Sequence, residues 1–231
     1  MTIRGRRNSS LTRVRPFFGQ LIDKDPTGAG WLRELLGMTQ AGQQLLGELD
    51  GDPGTLLAEC VKPRPYADRI LQQTIGLSAC FEHPLPPAEA FLRWAIRNPD
   101  RLTWPGWPHD PRTYGEDTQQ RRENLFGVDP ERRAQVQDDA ESELDKHRAA
   151  GSRAKWWAFE GWTEVDCCLQ TDRLVLLIEG KRTESLSAST DWLPQRSQLV
   201  RNLEVVEALA GDRRGAVLLM TEVPVPGVLD A

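Results

Sequence analysis

The stretch TEVDCCLQTDRLVLLIEGKRTES, residues 163–185, decides the fold expected for this chain. It contains two runs that are typical of β-strands, 163–169 and 173–181, joined by the short polar connection Gln-Thr-Asp. A connection this short predicts an antiparallel hairpin. The second strand ends on a carboxylate and an amine, Glu179 and Lys181, so water or a bound group is expected to meet the strand at that end.

The charged residues of the hairpin are spaced so that their side chains can meet. Alternate residues of a strand point to the same side, so Glu179 and Lys181 share a face. On the neighbouring strand Glu164 and Asp166 also share a face. If both pairs face the same side, Asp166 and Glu179 converge. Two such carboxylates suit Mg²⁺, which keeps its other positions for water and phosphate. Lys181 beside them can orient or deprotonate an attacking water, or stabilise charge on phosphate.

Helix signals and further strands flank the hairpin. Asp129 is a suitable N-cap, Pro130 fits the first helical position, and Gly151 fits just past the end, which predicts a helix of about five turns. The other predicted elements are a strand at 155–160, a helix at 193–211 and a strand at 215–223. The order α-β-β-β-α-β predicts an α/β fold with a mixed sheet flanked by helices.

One acidic residue of the predicted helix lies on its apolar face. At 100° per residue, Val136, Ala140 and Leu144 share that face, Glu143 falls within it, and Glu141 points away. A carboxylate on a core-facing stripe is costly unless it is paired or bound to metal. We therefore predict Glu143 as a further ligand. The alternative is that Glu143 lies at the wet margin of the stripe or pairs with an arginine.

Residues 1–128 are predicted to be mostly helical. Four stretches carry apolar residues at spacings of three and four, with Pro and Gly between them. The stretches are GWLRELLGM, AGQQLLGEL, YADRILQQTIGLSACF and PAEAFLRWAIRNP. No catalytic pattern is identified there. We expect this region to contact DNA, a second copy of the chain in a homodimer, or another protein partner. Residues 129–231 form the second predicted domain.

Composition excludes several classes of protein. The chain has 231 residues and a net charge of −5, which argues against nucleic-acid binding by bulk charge. No apolar run approaches the ~18 residues that span a membrane, and the N-terminus lacks the apolar segment of a signal peptide, so we expect a cytoplasmic protein without membrane contact. The spacing of the four cysteines and three histidines does not indicate a zinc site. Cys167 and Cys168 are expected to be reduced packing residues.

Asp166 and the Glu179-Gly180-Lys181 run, placed on the second and third strands of an α-β-β-β-α-β unit, resemble the PD-(D/E)XK nuclease superfamily, whose fold is called restriction-endonuclease-like. The resemblance covers about residues 129–223 and leaves the N-terminal half unmatched. It departs from the family pattern at Val165, where proline would precede the aspartate.

The resemblance implies hydrolysis of a phosphodiester bond, usually in DNA, that depends on Mg²⁺, with Mn²⁺ as a substitute. By this resemblance Asp166 and Glu179 hold the metal and Lys181 serves the nucleophilic water. Some members of the family also use a glutamine on the following helix, and Gln198 is the matching candidate here.

Arginines near the predicted site are candidates for contacts with the DNA backbone. Arg182 lies just beyond Lys181 in a polar loop, and Arg196 and Arg201 lie on the following helix. Trp192 can stack on a base or pack in the core, and the core is the commoner place for a tryptophan at a helix start.

A second function remains open at this point. The nuclease fold can be kept as a catalytically silent module that binds nucleic acid or acts as a scaffold, with the carboxylates as remnants. The complete set of Asp166, Glu179 and Lys181 favours the enzyme, since a remnant has no need to keep all three.

Overall fold

The structure, a computed structural model, describes residues 10–61, 80–103, 115–153, 155–181, 190 and 192–222. The chain divides into two compact units made of alternating segments. Unit 1 comprises Met1–Pro84, Glu164–Ser185 and Leu209–Ala231, and unit 2 comprises Leu85–Thr163 and Leu186–Ala208. The predicted division at residue 128 does not coincide with this partition, because each unit contains residues from both sides of it.

Unit 1 begins with helices. A π-helical turn, Ser10–Val14, leads into α1 (Arg15–Lys24), which is followed by α2 (Ala29–Gly37), α3 (Gln40–Glu48) and the short α4 (Ala58–Val61). The α3 helix starts where the Thr39 hydroxyl accepts a hydrogen bond from Gly42 N (3.0 Å), as expected for an N-cap.

A four-stranded mixed sheet completes unit 1. The strands are β1 (Phe81–Leu85), β2 (Thr163–Gln170), β3 (Leu174–Lys181) and β4 (Arg214–Thr221), in the order β1-β2-β3-β4. The predicted hairpin is confirmed, since β2 pairs antiparallel to β3. The β4 strand pairs parallel to β3. A later helix of the chain, Gln198–Ala210, leads into β4 and supplies the crossover that a parallel pair needs.

The core of unit 1 forms between one face of the sheet and the first helices. Leu176 and Ile178 of β3 belong to a buried cluster with Phe18 and Ile22 of α1 and Leu32 of α2. Alternate residues of β3 point away from this cluster. Every residue of β3 before Lys181 is nevertheless buried, on both faces of the strand. This explains why polar and apolar residues do not alternate along its sequence.

The turn of the hairpin is fixed by Thr171. Its buried hydroxyl accepts hydrogen bonds from Arg173 N (3.0 Å) and Leu174 N (2.8 Å) and donates one to Pro53 O (2.6 Å). The neighbouring Asp172 Oδ1 accepts one from Thr55 N (3.2 Å). The connection between the strands is therefore hydrogen-bonded to the loop that follows α3. These hydrogen bonds fix the register of β2 on β3.

Unit 2 is built on helices α5 (Glu89–Arg97), α6 (Glu116–Phe126) and α7 (Pro130–His147), and most of α8 (Gln198–Ala210) also falls within it. The predicted start of α7 is confirmed, because the Asp129 carboxylate accepts hydrogen bonds from Glu131 N (3.1 Å) and Arg132 N (3.2 Å). Its core contains leucine, isoleucine and aromatic side chains, among them Leu92, Ile96, Leu144 and Trp157.

The predicted strand at 155–160 is wrong. Its aromatic residues Trp156, Trp157 and Phe159 are buried in the core of unit 2, and the backbone turns there, with Ala158 N donating to Lys155 O (3.1 Å). Bulky aromatic residues are typical of a strand, but here the same side chains are buried by packing against the helices of unit 2.

The first strand of the sheet comes instead from the region predicted to be helical. It is β1, an outer strand that contains Pro84, a residue tolerated at a sheet edge because it has no N–H to donate. Three of the four predicted helical stretches appear as α2, α3 and α5, whereas most of the stretch at 66–81 lies outside the described residues.

Two broader expectations can be compared with the fold. None of the described helices combines the length and the apolar composition needed to cross a bilayer. All four cysteines are buried thiols, as predicted for the vicinal pair.

The loop below the hairpin turn gives a test of the fold. Gly54 has φ +81°, and a Cβ there would collide with Asp172 Oδ1 and lie 2.9 Å from Thr171 Oγ1. We expect Gly54→Ala to lower the free energy of unfolding by about 1–3 kcal/mol, through backbone strain and displacement of the turn. The measurement is urea unfolding followed by circular dichroism.

Gly19→Ala is the matched control. Gly19 lies inside α1, and a Cβ there would meet nothing within 4 Å. This change is expected to stabilise the helix by about 0.5–1 kcal/mol. Equal shifts of the same sign in both variants would contradict the role given to the loop.

Candidate active site

Three charged side chains converge at the open end of the β2–β3 hairpin. The β2–β3 pairing places Cys167 opposite Ile178, and continuing the register by one residue places Asp166 beside Glu179. Asp166 Oδ2 accepts a hydrogen bond from Gly180 N (2.7 Å), which anchors one oxygen of this carboxylate to the neighbouring strand. The sequence-predicted residues Asp166, Glu179 and Lys181 are therefore held together within unit 1.

Glu179 and Lys181 share a face of β3, as the strand period predicts. Lys181 Nζ lies 2.8 Å from Glu179 Oε1. The Glu179 side chain is 6% exposed and that of Lys181 is 17% exposed, so this ion pair is well shielded from water. A carboxylate buried to this degree needs a positive partner, and Lys181 supplies one in the structure.

The apolar part of β3 determines which face carries these charges. Leu176 and Ile178 point into the unit 1 core, so the residues between and after them point to the opposite face. Glu179 and Lys181 therefore lie on the side of β3 away from α1 and α2. Gly180, between them, has no side chain, and its backbone N–H is the group that reaches Asp166.

Glu143 belongs to unit 2, where its two oxygens accept hydrogen bonds from tryptophans. Trp156 Nε1 donates to Oε1 (3.2 Å) and Trp157 Nε1 donates to Oε2 (2.9 Å). Arg121 Nη1 also donates to Oε1 (3.0 Å). These contacts agree with the alternative considered from sequence, in which Glu143 pairs with an arginine. They favour a structural role, and the metal-ligand role of Glu143 stays a prediction.

The charge of Glu143 is stabilised by these partners. Burial raises the pKa of Glu143, but the hydrogen bonds from Trp157 and Trp156 and the charge of Arg121 outweigh it, so the pKa lies below its ordinary value. Glu141, which was predicted to point away from the apolar face of the helix, pairs with Arg97 on α5. The two acids of α7 thus serve different contacts.

Arg196, a predicted DNA-backbone contact, is buried inside unit 2, and it lies two residues before α8 instead of on that helix as predicted. Its guanidinium pairs with Glu160, and its Nη1 donates to Glu204 Oε1 (2.9 Å). Its Cζ atom lies 3.4 Å from the centre of the Phe91 ring. Only 3% of the side chain is exposed, so its charge is used inside the unit, which counts against a phosphate contact in this conformation.

Arg201 shares the same acid. Its Nε lies 3.2 Å from Glu160 Oε1, within ion-pair distance, and 19% of its side chain is exposed. Sequence reasoning missed Glu160, which it placed at the end of a strand that does not form. The sequence signal for this cluster is an acid, Glu160, followed later in the chain by Arg196 and Arg201. Such a signal is weak.

The remaining predicted residues are placed as follows. Gln198 is the first residue of α8, in unit 2. Arg182 lies outside the described residues. Trp192 packs against the unit 2 core, stacked on Phe126 with ring centres 5.9 Å apart, which supports the core interpretation. No group of three or more His, Cys, Asp and Glu side chains is arranged to share a metal ion within the part of the chain that the structure describes.

The role of Glu143 can be tested by Glu143→Gln. The variant has one carbonyl oxygen to serve donors from Trp156, Trp157 and Arg121, and it has no negative charge. We expect the free energy of unfolding to fall by about 1–3 kcal/mol at pH 7. Denaturant unfolding followed by tryptophan fluorescence measures this change.

The pH dependence gives the same test a definite sign. The pKa of Glu143 is lowered from 4.5, so its stabilisation is complete above that value and is lost as the pH falls through the folded-state pKa. The difference between the wild type and Glu143→Gln should therefore shrink in acid. Glu141→Gln is the control, and its more exposed ion pair predicts a loss of less than about 1 kcal/mol. Equal losses in the two variants would contradict the structural role of Glu143.

Comparison of the chain with models of protein families, with curated proteins and with solved structures finds no match. A function for this protein therefore has to be inferred from its own residues and their geometry.

Proposed function

We propose that this protein is a metal-dependent nuclease that hydrolyses phosphodiester bonds in DNA. The observation that carries the proposal is the convergence of Asp166, Glu179 and Lys181 at one end of an antiparallel hairpin. Asp166 is anchored by Gly180 N (2.7 Å), and Glu179 is paired with Lys181 (2.8 Å). Two carboxylates beside an amine can hold a divalent cation and act on the attacking water, which is what metal-assisted phosphodiester hydrolysis uses.

The topology of the sheet supports a restriction-endonuclease-like fold as the finer description of unit 1. An antiparallel β2–β3 pair followed by a helix and a parallel β4 agrees with the last four elements, β-β-α-β, of the order inferred from sequence. In this proposal the first strand of the order is β1. The segment between β1 and β2, which contains α5, α6 and α7, is then an insertion into the nuclease unit.

The donor chemistry fits a hard divalent cation. Asp166 and Glu179 would hold it, and Mg²⁺ or Mn²⁺ prefers carboxylate oxygen and keeps water in its other positions. The hydrogen bond from Gly180 orients the Asp166 carboxylate, as partners of metal-binding residues commonly do. When bound, the cation supplies positive charge that polarises the phosphate and makes an adjacent water more acidic.

Lys181 has two tasks in this proposal. In the absence of a cation its ammonium neutralises the buried Glu179 carboxylate, at 2.8 Å. In the loaded enzyme its Nζ donates a hydrogen bond to the water that attacks, or to an oxygen of the scissile phosphate where negative charge increases. Lys181 is the last residue of β3, and its side chain is 17% exposed against 6% for that of Glu179.

The carboxylates are tested by Asp166→Asn and Glu179→Gln. Each change removes one anionic ligand with little change in shape, so we expect cleavage of plasmid DNA in Mg²⁺ to fall by at least ~10². Addition of Mg²⁺ or Mn²⁺ after EDTA should raise the melting temperature of the wild type by mass action, and should raise that of these variants less.

Asp212→Asn is the matched control. Asp212 is exposed and lies two residues before β4, at the end of the sheet opposite Lys181. This variant should cleave and bind metal as the wild type does. Wild-type cleavage by Asp166→Asn or Glu179→Gln would refute the ligand assignment. Absence of both cleavage and metal binding in the wild type would favour the catalytically silent binding module.

Lys181→Met separates catalysis from binding. The methionine keeps much of the apolar stem but removes the charge and the donors. We expect retained DNA binding and a loss of cleavage of at least ~10², and we expect Lys181→Arg to rescue poorly because guanidinium stays protonated and has a different shape. Lys24→Met, at the exposed end of α1, is the control. A Lys181→Met preparation that cleaves at the wild-type rate would remove Lys181 from the mechanism.

A further inference from the structure

A polar pocket with a volume of about 360 Å³ lies within unit 2. Its walls come from the start of α6 and from the segment at 152–162, which leads into β2. None of the proposed catalytic residues Asp166, Glu179 and Lys181 lines it. The pocket is therefore a feature that the proposed catalytic chemistry does not use.

Positive charge dominates the lining of this pocket. Arg122, Arg153 and Lys155 contribute to the walls, and Glu160 is the acid among the lining residues. Glu160 is already compensated, because Arg196 and Arg201 both pair with it inside the unit. The cations of the lining therefore outnumber its acid.

Two of these cations form no ion pair within the part of the chain that the structure describes. Many arginines of unit 2 form ion pairs, including Arg93 with Asp145 and Arg121 with Asp117. Among the residues that the structure describes, Arg153 and Lys155 form none. Arg153 contacts the Trp162 ring and the charge of Lys155 acts on Glu143, and the charge of both cations remains available to an anion that enters the pocket.

The pocket is also held in shape by contacts of its own residues. Trp162 Nε1 donates a hydrogen bond to the buried Ser152 hydroxyl (3.2 Å), and the Arg153 guanidinium stacks over the Trp162 ring, 4.4 Å from its centre. Arg122 is 7% exposed, and its Nε donates to Trp156 O (2.8 Å). Arginine stacked on an aromatic ring keeps its in-plane donors directed outward, which suits the oxygens of a phosphate.

From these observations we infer that the pocket binds a phosphate of the DNA backbone, as a subsite of the proposed nuclease on which this inference rests. Trp162 directly precedes β2, the strand that carries Asp166. The chain as a whole has a net charge of −5, so bulk attraction cannot hold DNA and a local positive site is needed. Backbone phosphates are the contacts that position a protein on nucleic acid without reading its sequence.

The test measures DNA binding separately from cleavage. A short labelled DNA duplex is titrated in EDTA with the wild type, with Arg153→Gln, with Lys155→Gln and with the double variant, and fluorescence anisotropy gives Kd. We expect the double variant to bind about 10-fold more weakly, uniformly across sequences. Each lost phosphate contact should also reduce the slope of log Kd against log salt by about one.

Arg101→Gln and Lys146→Gln are matched controls, because both side chains are exposed in unit 2 and each loses the same charge. Their Kd should change by less than about 2-fold. Equal weakening in the controls and in the pocket variants would overturn the subsite. Melting curves establish that each protein is folded, and Arg153→Glu, at an exposed position, provides a second variant whose effect should exceed that of Arg153→Gln.

A third arm separates the two sources of phosphate. Inorganic phosphate and a mononucleotide are titrated by calorimetry into the wild type and the double variant. If they bind only the wild type while the duplex affinity is the same in both proteins, the pocket serves a free phosphate and the inference about DNA is wrong. Loss of duplex affinity in the double variant supports the backbone subsite.

The outcome also distinguishes this inference from the proposed nuclease. A wild type that cleaves DNA, with a Kd that the double variant leaves unchanged, overturns the subsite and retains the nuclease. A double variant that binds more weakly, in a protein that never cleaves, retains the subsite and overturns the nuclease. A wild type that does not bind DNA overturns the subsite.

Discussion

The register of β2 on β3 is the constraint on which the candidate site depends. Side chains of a strand alternate with a period of two, so a slip of one residue would turn the whole set to the other face. Leu176 and Ile178 would then leave the core, and the charges of Glu179 and Lys181 would enter it. The Thr171 hydroxyl opposes such a slip, because it binds the turn on one side and Pro53 on the other. The core of unit 1 and the geometry of its site are thus set by one turn.

The same rule about charge explains the arginines of unit 2. A buried charge is tolerated when its partners satisfy it, and removal of one partner leaves a costly orphan. Glu143 is satisfied by two indoles and an arginine, and Glu160 is satisfied by Arg196 and Arg201. Arginines enclosed in this way have little capacity for a ligand. Arg153 and Lys155 are cations at the surface of the same unit, and their charge is directed toward whatever fills the pocket.

Local signals predicted a good part of this fold. The hairpin, the N-cap of α7 and the shared face of Glu179 and Lys181 depend on residues close together in sequence, and they follow from the strand period and capping chemistry. The strand at 155–160 failed because its aromatic residues signal burial without specifying the partner. Cys80, which directly precedes β1, accepts a hydrogen bond from Cys168 N of β2, and a pairing between residues so far apart leaves no local pattern.

The residues of the candidate site also differ in whether local sequence could place them. Asp166, Glu179 and Lys181 were accessible to sequence reasoning because a single hairpin carries all three. The burial of Arg196 was not accessible, since it depends on Glu160, 36 residues away, which was itself assigned to the wrong element. An arginine is expected at the surface by default. Only the tertiary structure reveals an acid beneath it.

The placement of cysteine and tryptophan gives each unit its own natural reporter. All four cysteines fall in unit 1, and every tryptophan except Trp31 falls in the segments of unit 2. Burial and neighbouring thiols raise the pKa of Cys167, and burial raises that of Cys168 to about 12, so neither thiol is reactive while unit 1 is closed. Alkylation therefore records the opening of the sheet, while indole emission records mainly the helical unit. The unmodified chain can thus reveal whether its two halves melt together or in turn.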